Sequence, residues 1–370
     1  MLTVEAVFCL NAVNFLASAG RPNPNSGWTC HGLVSGPARS SFAASAGSER
    51  YAVPRIAVVV PATGSIASLE ASLVSVLQNR PEDCEVLVVL NQRYEDPYQL
   101  AGEVSFVQAA EHADLLTCIN LGVQTARAPI VHVLAVGHEV SDGWTAAAIR
   151  HFDDPAVGSV APLVESPEGE IAGIGYRAGG SRYVIDRSSA AKNPDAVRAP
   201  GLGAGFYRKA ALEAVGGFTS AVGEDFADID TGLALRRAGY TNVSEPASRV
   251  RMGANPRTRS KVRAAYYAER LFWRNAPNVG WTSAIALHPW VVAGAVLRNL
   301  LSLSLLVQLL ARVVALCHWS HYRAHHKRLQ GLVKTAHVMP LNQGSKQLRL
   351  DSSHIAASTR QQDPRRAKAS

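Results

Sequence analysis

The chain has only five cysteines in 370 residues (Cys9, Cys30, Cys84, Cys118 and Cys317), too scattered and odd in number for a disulfide framework. None forms a CxxC pair that could join the His321 and His325 spacing, which excludes a structural zinc site of the usual kind. A reducing, cytoplasmic setting is the simpler expectation. No GxGxxG follows the first predicted strand, which removes the dinucleotide-binding dehydrogenases. The apolar stretch from Ala6 to Leu16, followed by Ala17-Ser18-Ala19, imitates a cleavable signal. It lacks a leading Lys or Arg and carries Glu5 instead, which argues against export.

Acid is scarce at one end of the chain. The net charge is +8, and from Trp319 to Ser370 ten Lys or Arg stand against two Asp, so the first 318 residues are neutral overall. Basicity confined to a tail beside an apolar segment reads as a surface for anionic lipid headgroups, or as a solvated tail, and not as a face for nucleic acid. Long uninterrupted apolar runs are missing too. Trp281 to Trp319 is strongly apolar, but Arg298-Asn299 and Arg312 break it and leave Leu300 to Ala311 as a charge-free core, shorter than the roughly 20 residues needed to span a bilayer. The segment from Pro289 to Leu316 is expected either to lie in the membrane interface or to pack as helices on the main domain. Trp319, Tyr322 and the basic residues after them suit a headgroup region.

What is present alternates. Pro54 to Pro61 is a short apolar run ending at a proline, the signature of a buried parallel strand entering a loop. Ile66 to Gln78 places Leu69, Leu73, Val76 and Leu77 at helical spacing, with Ser65 available as cap. Glu85 to Leu90, Val104 to Ala109, Ile130 to Val136 and Gly158 to Val164 read as further strands. Asp114 to Thr125 and residues 143–152 read as helices. This alternation predicts a doubly wound α/β sheet whose ligands sit at the carboxyl ends of its strands. A polar, Gly-rich stretch from Glu165 to Pro200 interrupts the pattern and suits a substrate loop.

Three segments, "RIAVVVPATGSIASLEASLVSVLQ", "NLGVQTARAPIVHVLAVGHEVSDGW" and "GAGFYRKAALEAVGGFTSAVGEDFADIDTGLALRRAGY", occur in an order that resembles the family 2 glycosyltransferases. The last is the most specific, with Gly205, Arg208, Gly216-Gly217-Phe218, Asp228, Asp230, Leu233, Arg236 and Ala238-Gly239-Tyr240 in matching places. The resemblance implies a GT-A type fold: a doubly wound, mostly parallel sheet flanked by helices, here with C-terminal apolar helices. It also implies that Asp228 is the general base that deprotonates the acceptor hydroxyl, a role a carboxylate fills by accepting one proton. Asp228 or Asp230 as a helix cap is the structural alternative, and Glu224-Asp225 is a competing acidic pair. By the same resemblance Pro61, Thr63, Asn91, Asn120 and Gly205 fall where the donor binds.

The chain departs from that family where a metal should sit. The DxD motif aligns with Ala135-Val136-Gly137, which has no carboxylate for Mg or Mn. His138 and Glu139, next in the chain, are either a displaced ligand pair or ordinary loop residues. The opening loop is Ala62-Thr63-Gly64, and the acid expected to close the second strand is Leu90, with Asn91 and Asp96 as possible substitutes. The basic run Arg249, Arg251, Arg257, Arg259, Lys261 and Arg263 offers either countercharge for a diphosphate or an exposed basic face. The expected organisation is a leader over 1–50, a glycosyltransferase-like domain over 51–277, apolar and membrane-associated helices over 278–330, and a basic tail over 331–370. The expected partners are a nucleotide-sugar donor, a glycan or lipid-linked acceptor and an anionic membrane surface at the inner face of the cell membrane, with no nucleic acid. A catalytically silent scaffold of the same fold is the alternative function.

Overall fold

Ile56–Ala62, IAVVVPA, has no polar side chain to offer water, and as strand β1 it is buried at all seven positions. Ile56, Val58, Val60 and Ala62 enter one hydrophobic cluster, while Ala57 and Val59 enter another on the opposite face. A strand buried on both faces belongs inside a parallel sheet covered by helices. In the computed structural model β1 pairs in parallel with β2 (Cys84–Leu90) and β4 (Ile130–Val133), and β3 (Ser105–Gln108) adds to β2. β5 (Glu139–Val140), β6 (Val157–Glu165), β7 (Ile171–Gly173), β10 (Phe206–Arg208) and β11 (Thr241–Arg251) complete a nine-stranded sheet. Its order is β3-β2-β1-β4-β10-β6-β11-β5, with β7 on β6. β10 is antiparallel to both neighbours and β11 is parallel to β6, so the architecture is α/β with a mostly parallel sheet. β8 (Tyr176–Gly179) and β9 (Arg182–Ile185) form a separate hairpin inside the expected insertion.

The structure describes residues 53–179, 182–185, 199–253, 260–276, 280–299 and 305–338. All belong to one unit, Val53–Ser370; the other unit, Met1–Ala52, lies outside the described residues, as do the tail beyond Val338, Arg257 and Arg259.

Helices α1 (Ile66–Gln78), α2 (Leu115–Thr125), α3 (Trp144–Ile149), α4 (Lys209–Val215) and α5 (Ala227–Arg237) cover the sheet. α1 and α3 give Leu69, Leu73, Val76, Trp144 and Ala148 to the first cluster, while α2, α4 and α5 give Ile119, Val123, Leu212 and Leu235 to the second. Ser65 caps α1 by accepting from Ser68 N at 3.2 Å, and Asp114 caps α2 by accepting from Thr117 N at 2.7 Å. Such caps each contribute about 1 kcal/mol. α2 presses so close on β1 that a Cβ at Gly122 would stand 2.3 Å from Val59 Cγ1.

Two expected boundaries shift for local reasons. β4 ends at Val133, not Val136, because Gly137 (φ +87) turns the chain and His138 N closes the turn on Ala135 O at 3.0 Å. The helix expected over 143–152 splits into α3 and a tight 3-10 turn, Arg150–Asp153. β1 runs through Pro61, and its pairing with β4 stops at Val59, so the missing proline N–H costs no bond on that side.

Four more helices follow: α6 (Lys261–Asn275), α7 (Trp281–Asn299), α8 (Leu305–Leu316) and α9 (Trp319–Val338). The first three meet at Glu269 of α6, whose side chain is 1% exposed. It accepts from Trp273 Nε1 at 2.6 Å, Arg312 Nη1 at 2.7 Å and His288 Nε2 at 2.5 Å. No described helix is long and apolar enough to cross a membrane.

Candidate functional site

β1, β2 and β4 run parallel and β10 runs against them, so the first three end where the last begins. That edge collects the residues after Ala62, Leu90 and Val133 and those before Phe206, the customary ligand edge of an open α/β sheet. The α5 N-terminus reaches the same edge through the loop before β10: Leu202 N donates to Asp228 Oδ2 at 3.1 Å, while the next residue, Gly203, accepts from Ala135 N at 2.9 Å. One short piece of backbone therefore joins the expected base to the position of the expected metal motif.

Asp228 sits in the first turn of α5 and is 3% exposed. Its Oδ1 accepts from Ile229 N at 2.8 Å. The N-cap is Phe226, with no side-chain capping bond. Asp230 has a different task. Its two oxygens accept from Arg274 Nε at 3.0 and 2.9 Å, and Oδ1 also takes Asn275 Nδ2 at 3.1 Å, which bolts α5 to α6. Glu224 and Asp225 lie just before α5, half-buried and engaged in interactions of their own.

The residues expected to bind the donor divide between the edge and the scaffold. Pro61 is buried within β1, and Thr63 follows it at the strand end, half-buried, with its N–H on Pro61 O at 2.8 Å. Asn91 donates its amide to Ala113 O at 2.8 Å and ties the end of β2 to the start of α2. Asp96 (φ +47) accepts from Leu100 N and Ala101 N and organises a turn. Asn120 places both ends of its amide on Phe218, donating to its carbonyl at 2.8 Å and accepting from its N–H at 2.9 Å. Gly205 lies directly before β10, its carbonyl bonded to Val133 N at 2.9 Å, and a Cβ there would enter the Tyr207 ring.

The loop after β4 is held by a feature that the apolar periodicity of α1 hides. Ser68, Ser72, Ser75 and Asn79 form a second stripe on that helix: Gly137 N donates to Ser72 Oγ at 2.8 Å and to Ser68 O at 3.2 Å, Val140 N to Ser75 Oγ at 3.3 Å, and Asn79 Nδ2 to Val140 O at 3.2 Å. Serines recurring at i, i+4 and i+7 on an otherwise apolar helix were the available signal. Backbone crowds the loop from the other sides, since a Cβ at Gly203 would lie 2.6 Å from Ala135 Cβ and one at Gly253 2.5 Å from Gly137 O. His138 ends this loop, and burial pushes its imidazole down to about 4, so it is neutral at pH 7. Glu139 is exposed on β5.

These residues do not fit a divalent cation. Ala135, Val136 and Gly137 have no donor atom in their side chains, and no group of three His, Cys, Asp or Glu among the described residues could hold a metal ion. Of the downstream basic run, Arg249 is paired with Glu165 at 2.8 Å and Arg263 lies over the Tyr267 ring at 5.6 Å.

By sequence the chain matches no protein-family profile and no curated protein. Among solved structures it is similar to GalNAc-T7 with UDP, GalNAc and Mn2+ (12% identity, TM-score 0.47, 61% of this chain and 51% of that one). It is also similar to the mannosyltransferase PcManGT from Pyrobaculum calidifontis in complex with GDP-Man and Mn2+ (20%, 0.48, 77% and 86%) and to S. aureus TarS 1-349 (13%, 0.43, 59% and 64%). The chain thus spans about half of the first protein's length and just under two thirds of the third's. A likeness at this level does not carry a reaction from one protein to another.

Proposed function

We propose that the protein transfers a sugar from a nucleotide-activated donor to an acceptor hydroxyl, with Asp228 as the base, in the manner of a family 2 hexosyltransferase. The observation that carries this reading is the carboxylate of Asp228, buried at a helix start on the ligand edge and one backbone segment from the loop after β4. An acid so placed accepts the acceptor's proton as its oxygen attacks the sugar carbon, while the leaving diphosphate requires positive charge or N–H groups opposite. No step is assigned to a metal, because the loop supplies no ligands for one. Polysaccharide or glycolipid assembly, with a glycan or lipid-linked acceptor at the inner face of the cell membrane, is the setting this reading favours.

Calorimetry with UDP-, GDP- and TDP-sugars, with and without Mn, tests it. Binding of one donor at an affinity that Mn leaves unchanged is the expected result; failure of every donor to bind removes the transferase reading. A second reading, a silent scaffold of the same shape, is favoured by one specific observation: both oxygens of Asp228 already accept backbone N–H groups. Donor binding without turnover on any acceptor or water is its signature.

A further inference from the structure

Helices α7 and α8 leave large apolar side chains exposed while only small ones, Ala284, Ala311 and Ala315, are buried. On α8 the inward residues include Gln308 and Arg312, the latter bonded to buried Glu269, while Leu306, Leu310 and Val313 point outward and are 78%, 53% and 59% exposed. On α7 the polar His288 faces inward to Glu269, and the stripe Ala286, Trp290, Ala293 and Leu297 faces out, with Trp290 78% exposed. A helix lying on a domain in water shows the reverse arrangement. Large apolar side chains left exposed in this way mark a contact with something other than water.

The charge around these helices indicates what that is. Arg274 and Arg312 are paired inward with Asp230 and Glu269, so the exposed basic charge is that of α9. Arg323, Lys327 and Arg328 stand exposed on α9, directly after the exposed indole of Trp319. A second copy of the chain docked symmetrically on the same surface would bring two such basic helices together, and like charges would oppose it. An anionic bilayer surface supplies both halves of the match, since apolar side chains enter the acyl boundary, indoles sit at headgroup level and basic residues meet the phosphates. We infer that the outward stripes of α7 and α8 are a membrane-docking surface, specific for anionic lipid, that lies in the interface without crossing the bilayer.

This inference stands apart from the transferase reading, and its test contains no sugar donor, so either can fail alone. Full-length protein is mixed with vesicles of phosphatidylcholine, or of phosphatidylcholine with about one third phosphatidylglycerol, and separated by flotation. The expected result is co-flotation with the anionic vesicles, weakened by salt, and at least roughly tenfold lower partitioning for Leu306→Gln/Leu310→Gln. Both leucines face outward, so the melting temperature of that variant should match wild type; Arg323→Glu/Lys327→Glu is a second variant, reading the charge alone. Wild-type protein that stays at the bottom of the gradient with anionic vesicles overturns the inference. So does flotation unaffected by both variants, or a lipid-free dimer by light scattering that Leu306→Gln/Leu310→Gln dissociates while flotation stays the same.

Discussion

Replacing Asp230 by Ala should destabilise the domain more than replacing Asp228 by Asn, although the two acids stand one residue apart on the same helix. Asp230 is 3% and Arg274 13% exposed at the side chain, and Arg274 Nε reaches both carboxylate oxygens. Removing one partner of a buried pair costs about 3–5 kcal/mol, because the remaining charge loses its compensation. Arg274 retains some access to water, which places the loss near the lower end, and the lost Asn275 bond adds about 1 kcal/mol. At about 2–4 °C per kcal/mol for a domain of this size, the melting temperature should fall by roughly 10 °C. Asp230→Leu/Arg274→Met, which removes both charges, should lose less than the sum of its single changes. Asp228→Asn keeps the shape and sets an amide N–H against one backbone N–H, at about 1–2 kcal/mol. Differential scanning calorimetry of these variants, with Asp230→Leu and Arg274→Met as the single changes, decides it. If Asp230→Ala melts within a degree or two of wild type, or Asp228→Asn is the more damaging, the division into anchor and base is wrong.

Two further outcomes concern the scaffold. Gly122→Ala should lower the urea midpoint in spite of alanine's better helix propensity, worth about 1 kcal/mol, because its Cβ would lie 2.3 Å from Val59 Cγ1 and overpacking costs about 1–3 kcal/mol. Acid should also unfold the protein through its buried histidines: burial pushes His132 down to about 3, and His138 and His325 to about 4. Each folded value lies below the unfolded value of 6.5, so the unfolded state binds more protons, and the stability present above pH 6.5 is lost as pH falls toward 4. His132, stacked on Phe206 at 3.9 Å, can be replaced by Phe, and that variant should show a smaller fall in melting temperature between pH 7 and pH 5 than wild type.

Strands β1 to β4 and β6 were legible because they are short apolar runs, whereas β5 and β7 to β11 have no such run and were not expected; the caps at Ser65 and Asp114 were legible because capping is local. Polar residues at the ligand edge were harder to assign. Asn91 and Asn120 stand where donor contacts were expected, and spacing alone cannot distinguish an amide aimed at a ligand from one that binds backbone; Asn120 binds Phe218, which is 98 residues away in sequence. Arg312 looked like a break in an apolar run, and His288 drew no notice. Their reason is Glu269, 43 and 19 residues upstream, a long-range pairing that no local pattern reveals. The same pairing turns the apolar sides of α7 and α8 outward.

The central claim concerns a proton acceptor, and donor turnover by Asp228→Asn against wild type, each at a donor concentration that calorimetry shows to be saturating, tests it most directly. Unchanged donor affinity with turnover reduced by about 10²–10⁴ is the predicted result. Equal turnover in the two proteins would contradict the assignment of Asp228 as the base.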